Sequence, residues 1–186
     1  LLISAASGGT GSGAIPIITK HIRERYPDRP VYNLIVLPFK HEEETEDRTV
    51  YNTSVCLKSV YPIADAVFLV DNQRYVKKDV SLRGNIAKIN ESIVAPFYNI
   101  LCAGEEKKAK HIGAKMLDAG DIIETVSGWT AIGYGKSPLP LIRLPFESTR
   151  NFRKKSVETH KGIQAMDEAI AELSIPCNPG DSGRAL

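Results

Sequence analysis

The stretch SAASGGTGSGAIPII, residues 4–18, places four glycines in the six positions from Gly8 to Gly13, with an apolar helical pattern directly behind them. Ahead of it, LLISAA reads as the end of a buried strand. A strand, a glycine run and a helix in that order admit two readings. The glycines make a loose turn, or they leave backbone N–H groups bare enough to close round a phosphate, with the positive end of the helix adding to them. The rest of the chain has to decide.

The order of elements bears on it first. The pattern predicts a helix over residues 14–26, closed by the prolines at 27 and 30, and a second buried strand in VYNLIVLPF, 31–39. An acidic loop or first helical turn follows at 41–48, then a helix over 49–61 and a third apolar strand, AVFLVD, at 66–71. Strands alternating with helices in short units imply an α/β fold with a mainly parallel, Rossmann-like sheet and helices on both faces. Ligands of such sheets sit at the carboxyl ends of the strands, here in the loops after Ala6, Leu37 and Val70. Further on, a long helix is expected from 83 to 101, kinked at Pro96. Asp118 and Asp121, at i and i+3, open another helix with both carboxylates on one face. TAIGYG, 130–135, reads as a strand and 156–173 as an amphipathic helix.

Composition narrows the class. The 186 residues, 42% of them hydrophobic, suffice for one ordinary core. With 24 basic against 22 acidic residues the net charge is +2, so bulk charge asks for neither nucleic acid nor an acidic membrane. No apolar run approaches the ~18 residues of a membrane span, and no signal-peptide pattern is seen, so a soluble protein without membrane insertion is expected. Cys56, Cys102 and Cys177 are scattered and odd in number, as are the histidines in their spacing, which suits a reducing cytoplasm and points to no protein-held metal.

Two phosphate-loop patterns fit the glycines poorly. A P-loop requires Gly-Lys-Ser/Thr, and the first lysine after Gly13 is Lys20. A dinucleotide fold expects an acid at the end of the second strand, which here ends Leu37-Pro38-Phe39 with Glu42 the first acid beyond it. Elsewhere, CNPGDSGRAL at 177–186 echoes a serine-protease nucleophile motif, but Arg184 replaces a glycine of that motif and the α/β order is the wrong fold; Pro179-Gly180-Asp181 is better read as a turn. The basic run RNFRKK, 150–155, reads as a solvated helix start.

A third pattern fits. GGTGSG after a hydrophobic strand resembles the phosphate loop of the tubulin/FtsZ GTPases, GGGTGSG or GGGTGTG, with Ser7 in place of the first glycine. Four more stretches follow in family order. LPF with Glu42 and Glu43 resembles the loop whose acid meets the ribose. VDNQRY resembles IDNEAL, whose asparagine contacts guanine, which carries over to Asn72. KINESIV resembles the start of the family's long central helix and gives a second guanine contact at Asn90. Finally KMLDAGDIIETV resembles INVDFADVRTV and keeps its Asp-x-x-Asp spacing in Asp118 and Asp121. DNQRY is nearer tubulin and DAGDI nearer FtsZ, a mixture similar to the archaeal CetZ-like members.

The resemblance implies a GTPase that binds GTP or GDP, with Mg²⁺ carried by the nucleotide, and assembles head-to-tail with itself into filaments. It implies that Gly8, Gly9, Thr10, Gly11, Ser12 and Gly13 hold phosphates and that Glu42 or Glu43 meets the ribose. Asn72 and Asn90 would read guanine. Asp118 and Asp121 would act on the nucleotide of the neighbouring subunit. It also implies a nucleotide domain over residues 1–82, a central helix and connection over 83–115, and the start of a second α+β domain over 116–186. The chain departs from the family at Met116, where an asparagine is usual, and at Ile86, where an aromatic ring usually stacks on the base. The chain begins at the family's fourth nucleotide loop, so it is expected to be a piece of something longer and, taken alone, to hold about half of a GTP site. Two rival functions stand beside this one: a non-hydrolysing regulator of the same family, which Met116 favours, and a dinucleotide-dependent oxidoreductase.

Overall fold

The computed structural model describes residues 1–76, 82–101, 119–137 and 151–185. Four strands form one sheet in the order β1 (Leu2–Ala5), β2 (Tyr32–Leu37), β3 (Ala66–Asp71) and β4 (Gly128–Thr130), every neighbouring pair parallel. Parallel neighbours require crossovers. These are made by α1 (Gly9–Arg25) between the first two strands and by α2 (Lys40–Thr45) with α3 (Asp47–Val60) between the next two. The last crossover includes α4 (Leu82–Leu101) and α5 (Ala119–Thr125).

Alternation along the strands explains why helices cover both faces. Ile35 and Val67 point to one side and pack with Ile15 of α1 and with Cys56 and Val60 of α3. Leu34, Phe68 and Val70 point to the other and pack with Phe97 and Ile93 of α4 and Ile122 of α5. The Phe68 and Phe97 rings meet edge-on, 5.1 Å between centroids. Two fully buried polar residues are matched: the Asn33 side-chain amide of β2 donates to the Thr19 hydroxyl of α1 at 3.0 Å, and that hydroxyl donates to the Ile15 carbonyl at 2.7 Å.

At the amino edge of the sheet Asp65 joins several elements. Its carboxylate accepts from Arg23 Nη1 at 2.7 Å and from the Val31 N–H at 2.7 Å, and its carbonyl accepts from the Gly128 N–H at 3.0 Å. Burial pushes the Asp65 carboxyl up, but the Arg23 guanidinium and the Val31 N–H outweigh it and hold the group below the ordinary carboxylate value. A folded-state value below the unfolded one adds stability above the unfolded value, about 3.9, and this is lost as pH falls through the folded value. Asp65→Asn is therefore expected to destabilise by about 1–2 kcal/mol at neutral pH, a figure already reduced for the solvent exposure of the pair. In strong acid the gap between parent and variant should close, which denaturant melts at the two pH values check.

At the opposite edge the chain is fastened by Ser174. Its buried hydroxyl donates to the Leu69 carbonyl at 2.7 Å and accepts from the Ile132 N–H at 3.0 Å, while its carbonyl accepts from the Asp71 N–H at 2.8 Å. The segment 133–173 is a separate compact unit. Within it α6 (Asn151–Ala171) carries Ala165 and Ala169 one turn apart, and Gly133 and Gly135 lie so close to their carbonyls that any side chain there would collide with the helix backbone.

The architecture is the α/β sheet expected, with three differences. The first helix begins at Gly9, not residue 14. Gly11 approaches Ser4 and Ala5 closely, and a helix's first N–H groups need no intrahelical partner, so glycine is tolerated there. The acidic stretch is helix α2 and the start of α3. The last strand spans Gly128–Thr130, not 130–135, because Ile132 leaves the sheet to bond Ser174 and Gly133 pairs with Leu173.

Candidate functional site

The register sets the site. Ala5 lies opposite Val36 and Leu37 opposite Asp71, so the loops after the first three strands open side by side at the carboxyl edge.

The first loop is the glycine run. Gly8 is the N-cap of α1, with extended backbone (φ −79°, ψ 147°), and its carbonyl accepts from the Ser12 N–H at 3.2 Å and the Ser12 hydroxyl at 2.6 Å. Ser12 is thus buried and turned back on the loop, and its hydroxyl braces the helix start. The N–H groups of Gly9, Thr10 and Gly11, the first three of the helix, precede the first intrahelical bond and are available to an anion. Those of Ser12 and Gly13 already lie inside the helix ladder. The glycines have different reasons for being glycine. At Gly11 an added Cβ would stand 2.6 Å from Ser4 Oγ and 2.8 Å from the Ala5 carbonyl oxygen, so packing demands it. At Gly8 and Gly9 an added Cβ would meet nothing, and Gly128 has the one positive φ among the described glycines. Neither packing nor backbone conformation calls for glycine at 8 and 9; what the missing side chains leave is a bare face on the helix N-terminus.

In the second loop Glu42 reaches back to accept from the Phe39 N–H at 3.0 Å, which caps α2, while Glu43 stands exposed next to it. In the third, the Asp71 carboxylate accepts from the Gln73 N–H at 2.9 Å and folds 72–75 into a 3₁₀ turn that presents half-buried Asn72. The Gln73 side chain accepts from the Lys40 N–H at 3.3 Å and so ties the second and third loops together. Asn90 is exposed on α4, next to buried Ile89, and α4 touches the 72–75 turn. Asp121 is exposed in the first turn of α5, and Asp118 lies outside the described residues. The far end of α5 leads to Gly128, level with Ala66, at the amino edge of the sheet. The glycine loop, the 39–43 loop and the 72–75 turn are therefore brought together, and the helix of Asp121 ends at the other edge. The sequence reading overlooked Gln73 and Asn52, whose side-chain amide donates to the Ser7 carbonyl at 3.0 Å; no local pattern announces a contact between residues so far apart in the chain. Among the described residues no cluster of three or more His, Cys, Asp or Glu is arranged to hold a metal, and no helix is long and apolar enough to cross a membrane.

Comparison with known proteins agrees with this geometry. The Tubulin/FtsZ family GTPase domain matches residues 1–78, and the C-terminal domain of tubulin-like CetZ matches residues 79–186. The chain belongs to the tubulin/FtsZ family, in its CetZ branch. The tubulin-like protein CetZ1 of Haloferax volcanii is 27% identical over all of this chain and 49% of its own length. CetZ2 of the same organism is 32% identical over 97% of this chain and 49% of its own. A solved structure of CetZ2, a GTPγS-bound protofilament, superposes with a TM-score of 0.70 at 27% identity, over 94% of this chain and 46% of that one. The chain thus spans about half the length of the curated relatives it matches.

Proposed function

We propose that the full-length protein binds guanine nucleotide at the carboxyl edge of the sheet, polymerises head-to-tail in the cytoplasm and hydrolyses GTP between subunits. The observation that carries this is the bare face at Gly8 and Gly9: two glycines that the fold does not need, set on a helix N-terminus whose first N–H groups are unspent. The N–H groups of Gly9, Thr10 and Gly11, with the Thr10 hydroxyl, hold phosphate oxygens, and Ser12 and Gly13 support the loop from within the helix. Glu43 meets the ribose more readily than Glu42, which already caps α2. Asn72 and Asn90 read the guanine edge. The donors at the loop are N–H and hydroxyl groups, which suit phosphate better than a hard cation, so Mg²⁺ is carried by the nucleotide, where it neutralises phosphate charge. The family membership and the nucleotide-bound CetZ2 protofilament support the reading. A carboxylate at Asp121 would serve the nucleotide of the next subunit in a heterologous, non-closing contact. In this reading residues 1–82 belong to the nucleotide domain, 83–115 to the central helix and connection, and 116–186 to the start of the second domain.

Met116 favours a second reading, a family member that binds nucleotide and filaments without hydrolysis. GTP turnover by the full-length protein, measured alongside light scattering, separates the two: turnover that rises with assembly supports the first, and assembly without turnover the second. Within either, Asn72→Ala is expected to weaken GTP binding by roughly 1–3 kcal/mol, since it leaves a buried polar edge of the base unpaired. Fluorescent-nucleotide titration of parent and variant checks this.

A further inference from the structure

An anion cradle made of N–H groups fails if a neighbouring carbonyl oxygen swings to the same side. Two carbonyls precede the N–H groups of α1. That of Gly8 is held by the helix itself, through the Ser12 N–H and hydroxyl. That of Ser7 comes before the N-cap, outside the reach of the helix ladder. It is held by Asn52, a half-buried residue of α3 whose Nδ2 donates to it at 3.0 Å. The peptide between Ser7 and Gly8 is trans, so with its C=O drawn toward α3 its N–H points the other way. With glycine at 8, this peptide carries a side chain on its Ser7 side alone, so little local steric restraint opposes its rotation. A half-turn would exchange the Gly8 N–H for the Ser7 carbonyl oxygen.

We infer that Asn52 is a positioning residue of the phosphate cradle, locking the Ser7–Gly8 peptide with its N–H outward and so adding the Gly8 donor to those of Gly9, Thr10 and Gly11. This rests on the proposed nucleotide site. Asn52→Ala removes the lock, and Asn52→Asp keeps the size but replaces the donor by an acceptor facing a carbonyl. Calorimetric titration of the full-length parent and both variants with guanosine, GMP and GDP tests it, with thermal midpoints recorded alongside. Both variants are expected to bind GDP about tenfold more weakly, the worth of one such hydrogen bond, and guanosine as the parent does. Equal losses for guanosine and GDP, or unchanged GDP affinity in a folded variant, overturn the inference. A parent that binds no guanine nucleotide overturns the proposed function, and the inference with it.

Discussion

Asp121→Ala in the full-length protein is expected to bind GTP as tightly as the parent and to turn it over roughly 10²–10⁴ times more slowly, the usual worth of a positioned acid–base group. The split follows from the role proposed for the residue at the subunit contact. A carboxylate that acts across a subunit contact can orient and polarise an attacking water without adding to the affinity of its own subunit for nucleotide. Mixing sharpens the test. A phosphate-loop variant with intact aspartates, co-assembled with Asp121→Ala, presents an intact carboxylate to an intact nucleotide site at alternate contacts, so part of the activity should return. Co-assembly is verified by light scattering. Co-assembled mixtures that stay inactive, together with a loss of GTP affinity in Asp121→Ala alone, would assign the carboxylate to a site within one subunit.

The second large effect separates glycines that look alike in sequence. Gly11→Ala puts a methyl 2.6 Å from Ser4 Oγ and 2.8 Å from the Ala5 carbonyl oxygen, and the latter is backbone that cannot move aside. Stability should fall by roughly 3 kcal/mol, the upper end of ordinary overpacking. Gly9→Ala meets open space and gains helix propensity, so it should fold at least as well as the parent. Its methyl nevertheless stands on the face proposed for phosphate, and GTP affinity should drop about a hundredfold, or roughly 2.8 kcal/mol. Denaturant melts should separate the two variants, and nucleotide titration of Gly9→Ala should show the loss of affinity in a protein that folds normally. A Gly9→Ala protein that binds GTP normally would remove the bare face as the basis of the site.

Much of the fold is legible in the sequence because its first three strands are short apolar runs bounded by turn residues, separated by stretches of helical period. The glycine run itself misleads by five residues. Glycine disfavours helix interiors, yet the first turn of α1 asks little of propensity and much of close approach at Gly11. The end of TAIGYG is misread for a different reason. Its apolar pattern suits a strand, but the partner of Ile132 is Ser174, and that pairing is set by tertiary contact. Of the candidate site, the loops could be located from the sequence because the strand ends locate them. Which donor serves which partner could not. Ser12 and Glu42 read as ligand contacts by resemblance, and in the structure the hydroxyl of one and the carboxylate of the other hold the backbone that shapes the loops. Gln73 and Asn52 fasten those loops from distant positions and carry no local signal.

The most direct test of the account is the affinity of the full-length protein for GTP against ATP, measured by isothermal titration under one set of conditions. The two nucleotides share their triphosphate and ribose, so the glycine loop and the glutamates treat them alike. In the proposed reading discrimination comes from the base, through the Asn72 and Asn90 amides, which can offer both donor and acceptor to the guanine edge. A clear preference for GTP, abolished by Asn72→Ala, is the predicted result; equal affinity for the two would contradict the account.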